Sequence, residues 1–278
     1  MASERYGSGR LLVTGAAGQV GHLLRPRLPG YGWRLRTADL PAALAGPGPG
    51  EEVAAVDITD PSSVAAALAG VDAVVHLAGI SGEDAFDRLL DVNVAGTRNV
   101  LQGCVDVGVR RVVLASSNHA AGCYRRADAP PGGLPDDLPA RPDTLYGWSK
   151  AAGEALGALY HDRYGLDVVS LRIGTCREYP ADTVALPGWL SPDDCAGLVD
   201  AALRAPGPLC RVVWGLSANT RRWWSLGGMA ALGFTPRDDS EAYAAELVAR
   251  FGEPDPADPV HAYVGGPFRT APVGVPMR

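Results

Sequence analysis

The 278-residue sequence predicts an α/β chain, a doubly wound parallel sheet with a small C-terminal cap on the substrate side. Three observations predict it. Apolar runs of strand length alternate with helix-length periodic segments through the first two thirds of the chain, the pattern of parallel strands buried on both faces. The first of these runs leads straight into a glycine-rich turn and an apolar helix. A composition that is 47% apolar and 20% charged supplies one large core, too little for two ordinary catalytic domains. Residues 1–278 are therefore expected to form a single domain, with substrate-side elements mostly within 174–278.

In chain order, strands are expected at Leu11–Thr14, Arg34–Thr37, Val53–Val56, Ala73–Leu77, Arg111–Ala115 and Asp167–Arg172. Helices fit between them at Gln19–Leu28, Pro61–Ala69, Ala85–Val107 and Asp143–Tyr164; the second follows Asp60, a capping carboxylate, with proline in its first turn. Beyond Arg172 a helix at Pro192–Arg204, a strand at Cys210–Trp214 and a helix at Ser240–Phe251 read as the cap. Ala45–Glu51 and Ala129–Asp143, the latter holding five prolines, can be neither regular helix nor central strand. The second stretch is either a surface excursion or a loop bordering the site.

Composition also excludes function classes. A net charge of −6 gives no basic field for a phosphate polymer, so nucleic acid is not an expected partner. No run of 18 apolar residues occurs and the polar start MASERYGSGR leads directly into the first strand, so no membrane span or signal peptide is expected and the chain reads as cytoplasmic. The five cysteines are widely spaced and never form C-x-x-C, and the five histidines never fall at H-x-x-x-H, so no disulfide framework or metal site is expected.

In the turn after the first strand, Gly15 permits the tight bend, Gly18 lets backbone approach a pyrophosphate, and Gly21 lets helix and strand pack closely. The helix that follows turns its N-terminus to the anion. These are the requirements of a Rossmann-type dinucleotide site, with Gln19 and Val20 inside the turn. Asp39 closes the second strand, where a carboxylate accepts both adenosine ribose hydroxyls and repels a 2′-phosphate, which selects NAD over NADP. Asp57 and Ile58 after the third strand, and Leu77, Ala78 and Gly79 after the fourth, lie at carboxyl ends of parallel strands, the edge where such sheets bind ligands. Asp57 would face the adenine amino group.

Tyr146 and Lys150 fall at i and i+4 near a helix start, hence on one face. A cation held beside the phenol is expected to lower its pKa and make it a usable base. Lys150 is the only lysine among 25 basic residues. Ser117 follows the fifth strand and projects toward the same crevice, where its hydroxyl could hold the reacting oxygen; Asn118 and His119 come next. Asn93 sits inside a long helix where asparagine is unfavourable, so a polar partner is implied, either ordered water at a kink or a group of the reaction site.

The glycine turn, Asp39, Ser117 and Y-x-x-x-K together resemble the extended short-chain dehydrogenase/reductase superfamily, across essentially the whole chain. Within it, LLVTGAAGQVG, VHLAGIS, SSNH, PARPDTLYGWSK, LRIGTC and VVWGLSAN are similar to the NAD-dependent uronate dehydrogenases, which oxidise C1 of galacturonate or glucuronate to the aldarolactone. The resemblance implies Tyr146 as base with Lys150 and Ser117, Lys150 and Ile173 against the cofactor, and a homo-oligomer. It also implies sugar contacts from Ser81, Ser117, Asn118, His119, Tyr146 and Thr175, the last standing where the family has serine. One departure matters: the family's carboxylate-binding arginine falls, by ungapped counting from Arg172, on Val184. Arg177 is expected to take over that role, with Arg221 or Arg222 farther along, or backbone amides, as alternatives; otherwise the substrate is another sugar. A different sugar dehydrogenase or epimerase and a non-catalytic NAD-binding regulator are the competing readings.

Overall fold

Leu11, Leu12 and Val13 are 0–1% exposed because helices cover both faces of the strand that carries them, β1 (Arg10–Thr14). In the computed structural model, which describes residues 9–44 and 46–277, β1 lies inside a seven-stranded parallel sheet. The other strands are β2 (Arg34–Asp39), β3 (Glu52–Ala55), β4 (Ala73–His76), β5 (Arg111–Ser117), β6 (Asp167–Ile173) and β9 (Cys210–Gly215), in the order β3-β2-β1-β4-β5-β6-β9. Two short strands, β7 (Thr175–Cys176) and β8 (Trp189–Leu190), pair separately. The chain walks outward from β1 in one direction to β3 and resumes at β4 on the other side, which opens a crevice at the carboxyl ends of β1 and β4.

Alternation along β1 builds two cores. Leu11 and Val13 pack on one face with Leu24, Leu171 and Trp214, and Leu12 packs on the other with Val64, Leu68, Val112 and Leu114. Helices α1 (Gln19–Leu24), α2 (Pro61–Leu68), α4 (Gly96–Val107), α5 (Leu145–Tyr164) and α6 (Pro192–Arg204) supply the covering layers, with the short α3 (Phe86–Leu89) leading into α4. Asp60 caps α2 through the Ser62 amide, and Thr144 caps α5 through the Gly147 amide.

Several boundaries differ from expectation for identifiable reasons. The first helix stops at Leu24 instead of Leu28: Pro26 has no N–H with which to carry the helical bonding past Arg25, and a 3-10 turn, Leu28–Tyr31, follows. The expected continuous helix Ala85–Val107 is α3, a π-turn at Leu90–Ala95 and α4. The C-terminal helix expected from Ser240 opens as a 3-10 turn, Ser240–Tyr243, before α8 (Ala244–Phe251). Cys210–Trp214 and the helix before it belong to the main sheet and its covering layer, not to the cap, because β9 pairs along β6 from Val168↔Cys210 to Ile173↔Gly215. The β7–β8 insertion separates β6 from α6 and hides that last β-α-β unit from a reading based on alternation. The substrate side is built instead from that insertion and from residues 216–277, which include α7 (Gly227–Ala231), α8 and α9 (Pro259–Ala262). Of the glycine-proline stretch expected at Ala45–Glu51, Ala45 lies outside the described residues, as does most of the MASERYGSGR start.

The stretch Ala129–Asp143 is pinned at several points. The Asp136 carboxylate accepts from the Trp214 and Gly228 amides at 2.8 Å each, Leu134 is 2% exposed, and the Leu138 carbonyl accepts from Arg172 at 3.1 Å. Arg172 is itself held by Glu154 of α5 at 2.8 and 2.9 Å, with Ser116 of β5 donating to the same carboxylate at 2.6 Å. Both side chains of this ion pair are nearly sealed from solvent. Glu154→Ala, which leaves the guanidinium buried without its counter-charge, is expected to lower stability by about 3–5 kcal/mol in urea unfolding, far more than loss of an exposed pair.

Candidate functional site

The crevice at the carboxyl ends of the strands is a cleft of about 880 Å³, and every residue assigned to the cofactor from the sequence lines it. Gly15 holds a φ of +69°, and a Cβ there would fall 2.5 Å from the Ala78 amide nitrogen, so the turn after β1 packs directly on the turn after β4. Gly21 allows the same closeness within the first turn: its Cβ would lie 2.5 Å from the Gly15 carbonyl oxygen. At the far wall the Asp39 carboxylate accepts from the Ala17 amide with one oxygen and the Leu40 amide with the other, both at 2.8 Å. These bonds hold it against the glycine turn. Asp57 is similarly oriented by the Thr59 amide and hydroxyl at 2.9 and 2.7 Å. Below the cleft His76 is fully buried between the hydroxyls of Thr14, 2.7 Å from Nδ1, and Thr97, 3.1 Å from Nε2, and burial, helped by the Lys150 charge, lowers its pKa to about 3. It is a neutral structural imidazole.

A second cavity of about 780 Å³ adjoins the first on the side of residues 216–277, and Ser81, Ser117, His119, Tyr146, Thr175 and Arg177 line both. Tyr146, in the first turn of α5, is 7% exposed and lines both cavities together with Ser117. Lys150 lies one turn on, its Nζ 5.7 Å from the Tyr146 ring centre and donating to the Ala115 carbonyl at 2.9 Å. The expected lowering of the phenol does not hold for the protein alone. Burial pushes Tyr146 up to about 12 against the opposing pull of the Ser117 hydroxyl, and Asp143 raises it further, while burial draws Lys150 down to about 8. Desolvation outweighs the attraction because both groups sit in the same dry wall.

Ser117 ends β5, donates to the Asn118 side-chain oxygen at 3.2 Å and accepts from the His119 amide at 3.2 Å. Asn118 in turn donates to the Val264 carbonyl at 2.9 Å. His119 is held from two sides. Its Nδ1 meets the Asp143 carboxylate at 2.9 Å and its ring stacks on Phe268 with centroids 4.1 Å apart. The proline-rich stretch thus borders the site through its last residue, Asp143. Asn93 occupies the π-turn, and its amide is satisfied by protein: Oδ1 accepts from the Ile80 amide at 2.7 Å, and Nδ2 donates to the Ile80 carbonyl at 3.0 Å and the Ser149 hydroxyl at 2.9 Å. It fixes the loop of Gly79 and Ser81 against α5.

Four arginines line the second cavity. Arg172 is committed to Glu154, and Arg221 to Glu241 and Glu253. Arg222, the other alternative from farther along, donates to the Ala218 and Asn219 carbonyls. Among the described residues the guanidinium groups of Arg126 and Arg177 have no such partner. Only Arg177 stands where the two cavities meet; its backbone carbonyl is anchored by the Trp189 indole at 2.9 Å. Val184 lines the same cavity beside Gly266.

Sequence reasoning missed three contributors: Asp143, Phe268, and Glu83, whose buried carboxylate receives the Tyr146 amide at 2.8 Å. Asp143 could have been suspected from an acid immediately before a helix cap; the other two carry no local signal. Among the described residues no group of three histidine, cysteine or acidic side chains is arranged to hold a metal, and no helix is long and apolar enough to cross a membrane.

Comparison with known proteins places this architecture. Residues 11–176 match the NAD dependent epimerase/dehydratase family. The chain is 40% identical to a uronate dehydrogenase of Pseudomonas putida, over 94% of this chain and 96% of that protein, and 42% identical to one of Agrobacterium fabrum, over 95% and 98%. It is also 36% identical to an NAD-dependent glucose-6-phosphate dehydrogenase of Haloferax volcanii, over 88% and 97%. The crystal structure of the uronate dehydrogenase from Agrobacterium tumefaciens superimposes with a TM-score of 0.88 at 42% identity, covering 95% of this chain and 97% of that one. With its parallel sheet, its glycine turn and its Tyr146-Lys150 helix in these positions, the chain belongs to the NAD dependent epimerase/dehydratase family and is an NAD-dependent oxidoreductase.

Proposed function

We propose that the protein oxidises a uronic acid, galacturonate or glucuronate, at C1 to the aldarolactone. The observation that carries this reading is Arg177, a guanidinium without a side-chain partner at the junction of the two cavities, where a sugar reacting at Tyr146 would present its carboxylate. Bound NAD supplies the hydride acceptor for the hydrogen on C1. Gly15, Gly18, Gln19, Val20, Gly21, Asp39, Asp57, Ile58, Leu77, Ala78, Gly79, Lys150 and Ile173 hold it in this reading.

Tyr146 takes the proton of the anomeric hydroxyl as the C1–H bond breaks, and the oxygen becomes the lactone carbonyl. Ser117, which lines the same cavity wall as Tyr146, holds that oxygen on its path. Lys150 sits where its charge favours the phenolate as the proton moves, and the dry wall strengthens that interaction. Ser81, Asn118, His119 and Thr175 contact the sugar hydroxyls, with His119 oriented by Asp143. Arg177 takes the carboxylate in place of the arginine that Val184 has replaced. The protein is read as cytoplasmic and as a homo-oligomer. A second reading, oxidation of an uncharged sugar, is favoured by Val184 alone.

Tyr146→Phe is expected to abolish turnover with NAD affinity nearly intact, since it deletes the proton acceptor and little else; turnover within a few-fold of wild type would remove Tyr146 from the mechanism. Lys150→Arg is expected to be severely impaired, because the wider guanidinium cannot reproduce a compact charge. Steady-state kinetics with both cofactors should show NAD used at least about tenfold more efficiently than NADP, with Asp39→Ala narrowing the gap. Arg177→Ala is expected to raise KM for galacturonate or glucuronate about ten- to a hundredfold while leaving the matching neutral aldose nearly unaffected. Uronate activity indifferent to Arg177 would move the carboxylate to another partner, and preference for the neutral aldose in the wild type would favour the second reading.

A further inference from the structure

Glu83 is 1% exposed and, among the described residues, faces no cation within ion-pair distance. A carboxylate buried in this way is costly unless amides satisfy it. Three do. Its Oε2 accepts from the Tyr146 amide at 2.8 Å, and its Oε1 accepts from the Leu145 amide at 3.2 Å and from the Gly274 amide at 2.7 Å. The Glu83 main-chain carbonyl also accepts from the Met277 amide at 3.0 Å. Thr144 caps α5 through the Gly147 amide, and Glu83 completes that cap by taking the Leu145 and Tyr146 amides that Thr144 leaves free; the Gly274 bond lies outside any helix cap. What Glu83 adds is a junction of three pieces of chain: the loop that carries Ser81, the helix that carries Tyr146, and the C-terminal segment.

The C-terminal segment matters because of what precedes it. Residues Gly266–Thr270 form a 3-10 turn whose Phe268 lines both cavities and stacks on His119. The Phe268 ring centre is 6.4 Å from that of Tyr146. Past Thr270 the chain is exposed at Pro272 and Val273, and the bonds to Glu83 at Gly274 and Met277 return it to the body of the protein. The fully buried Asp143 side chain, which holds His119, is crowded between Gly122 and Gly265 and fixes the other end of the same wall.

We propose that Glu83 is a positioning residue that latches the C-terminal segment to the start of the catalytic helix, setting the Phe268–His119 wall and Tyr146 in one geometry around the sugar. The proposal rests on the oxidation of an acidic sugar inferred above. It assigns Glu83 and residues 272–277 to sugar binding, not to cofactor binding, since the glycine turn and Asp39 lie at the opposite end of the crevice and are held by bonds of their own.

The test uses the full-length enzyme, Glu83→Gln, a chain ending at Ala271, and the two changes combined. Glu83→Gln keeps the shape but places an amide NH₂ among N–H donors. It is expected to raise KM for the uronate about tenfold, with a smaller fall in kcat and with NAD affinity, followed by fluorescence titration, within twofold of wild type. The truncated chain, with Glu83 intact, is expected to show a KM rise of similar size, and the combined variant no more than either alone, because both break one junction. Hydrogen exchange should show the amides of Gly274 and Met277 exchanging faster in Glu83→Gln. Unchanged KM in either variant, KM effects that multiply in the combination, or NAD affinity falling in step with sugar affinity would overturn the latch. If Glu83→Gln does not fold, the truncated chain decides the matter alone. If the wild type fails to oxidise uronates, the proposed substrate falls, and the exchange rates at Gly274 and Met277 still decide whether the latch exists.

Discussion

The ion pair between Glu154 and Arg172 sets how α5 lies against the sheet. Glu154 lies one helical turn past Lys150 on α5, and Arg172 lies near the end of β6, so the pair fixes the helix of Tyr146 and Lys150 along the strand whose end forms the floor of the cleft. Ser116 brings the neighbouring strand β5 into the same carboxylate and so ties down the strand end from which Ser117 lines the cleft with Tyr146. The remaining Arg172 donor goes to Leu138, and its guanidinium lies 5.3 Å from the Trp214 ring centre. Buried in this way, one pair of opposite charges orders two strands, one helix and the proline-rich crossing that delivers Asp143 to His119. Such a pair gains little net stability over apolar packing, and its value is that each charge accepts only one arrangement of its neighbours.

Around that frame the site trades solvation for electrostatic leverage. Tyr146 and Lys150 both resist their charged forms in the dry wall, one pushed up to about 12 and the other drawn down to about 8. In water the two would sit near their ordinary values and interact weakly. Here the un-ionised phenol is easily biased by the Lys150 charge and by any further charge brought into the cleft, because little solvent remains to screen them. His76 beneath follows the same rule and stays neutral between two threonine hydroxyls, adding no competing positive charge.

Much of this was legible in the sequence because the relevant constraints are local. A glycine that must adopt positive φ beside another turn, a carboxylate closing the second strand, and a phenol and an ammonium four residues apart each leave a signature within a few positions. The seventh strand was misassigned because the β7–β8 insertion broke the alternation on which the reading depended. The phenol shifted opposite to expectation because spacing reports who its neighbours are, not how much water remains. Glu83 and Phe268 left no signature because their partners lie 63 and more than a hundred residues away, at Tyr146 and His119, and only folding brings them together. Asn93 was intermediate: its unsuitability for a helix was readable, but the bonds to Ile80 and Ser149 and the π-turn that presents it were not.

The arginine bias of the chain has a practical side. With 24 of 25 basic side chains carrying guanidinium groups, Lys150 is the only side-chain amine, and it lies in the cleft at a pKa of about 8. A larger fraction of it is neutral near physiological pH than is usual for a lysine, which makes it more nucleophilic toward acylating reagents. Amine-directed chemistry on side chains therefore has a single address in this protein. The number of labels taken up by lysine counts open clefts, with no surface background to subtract.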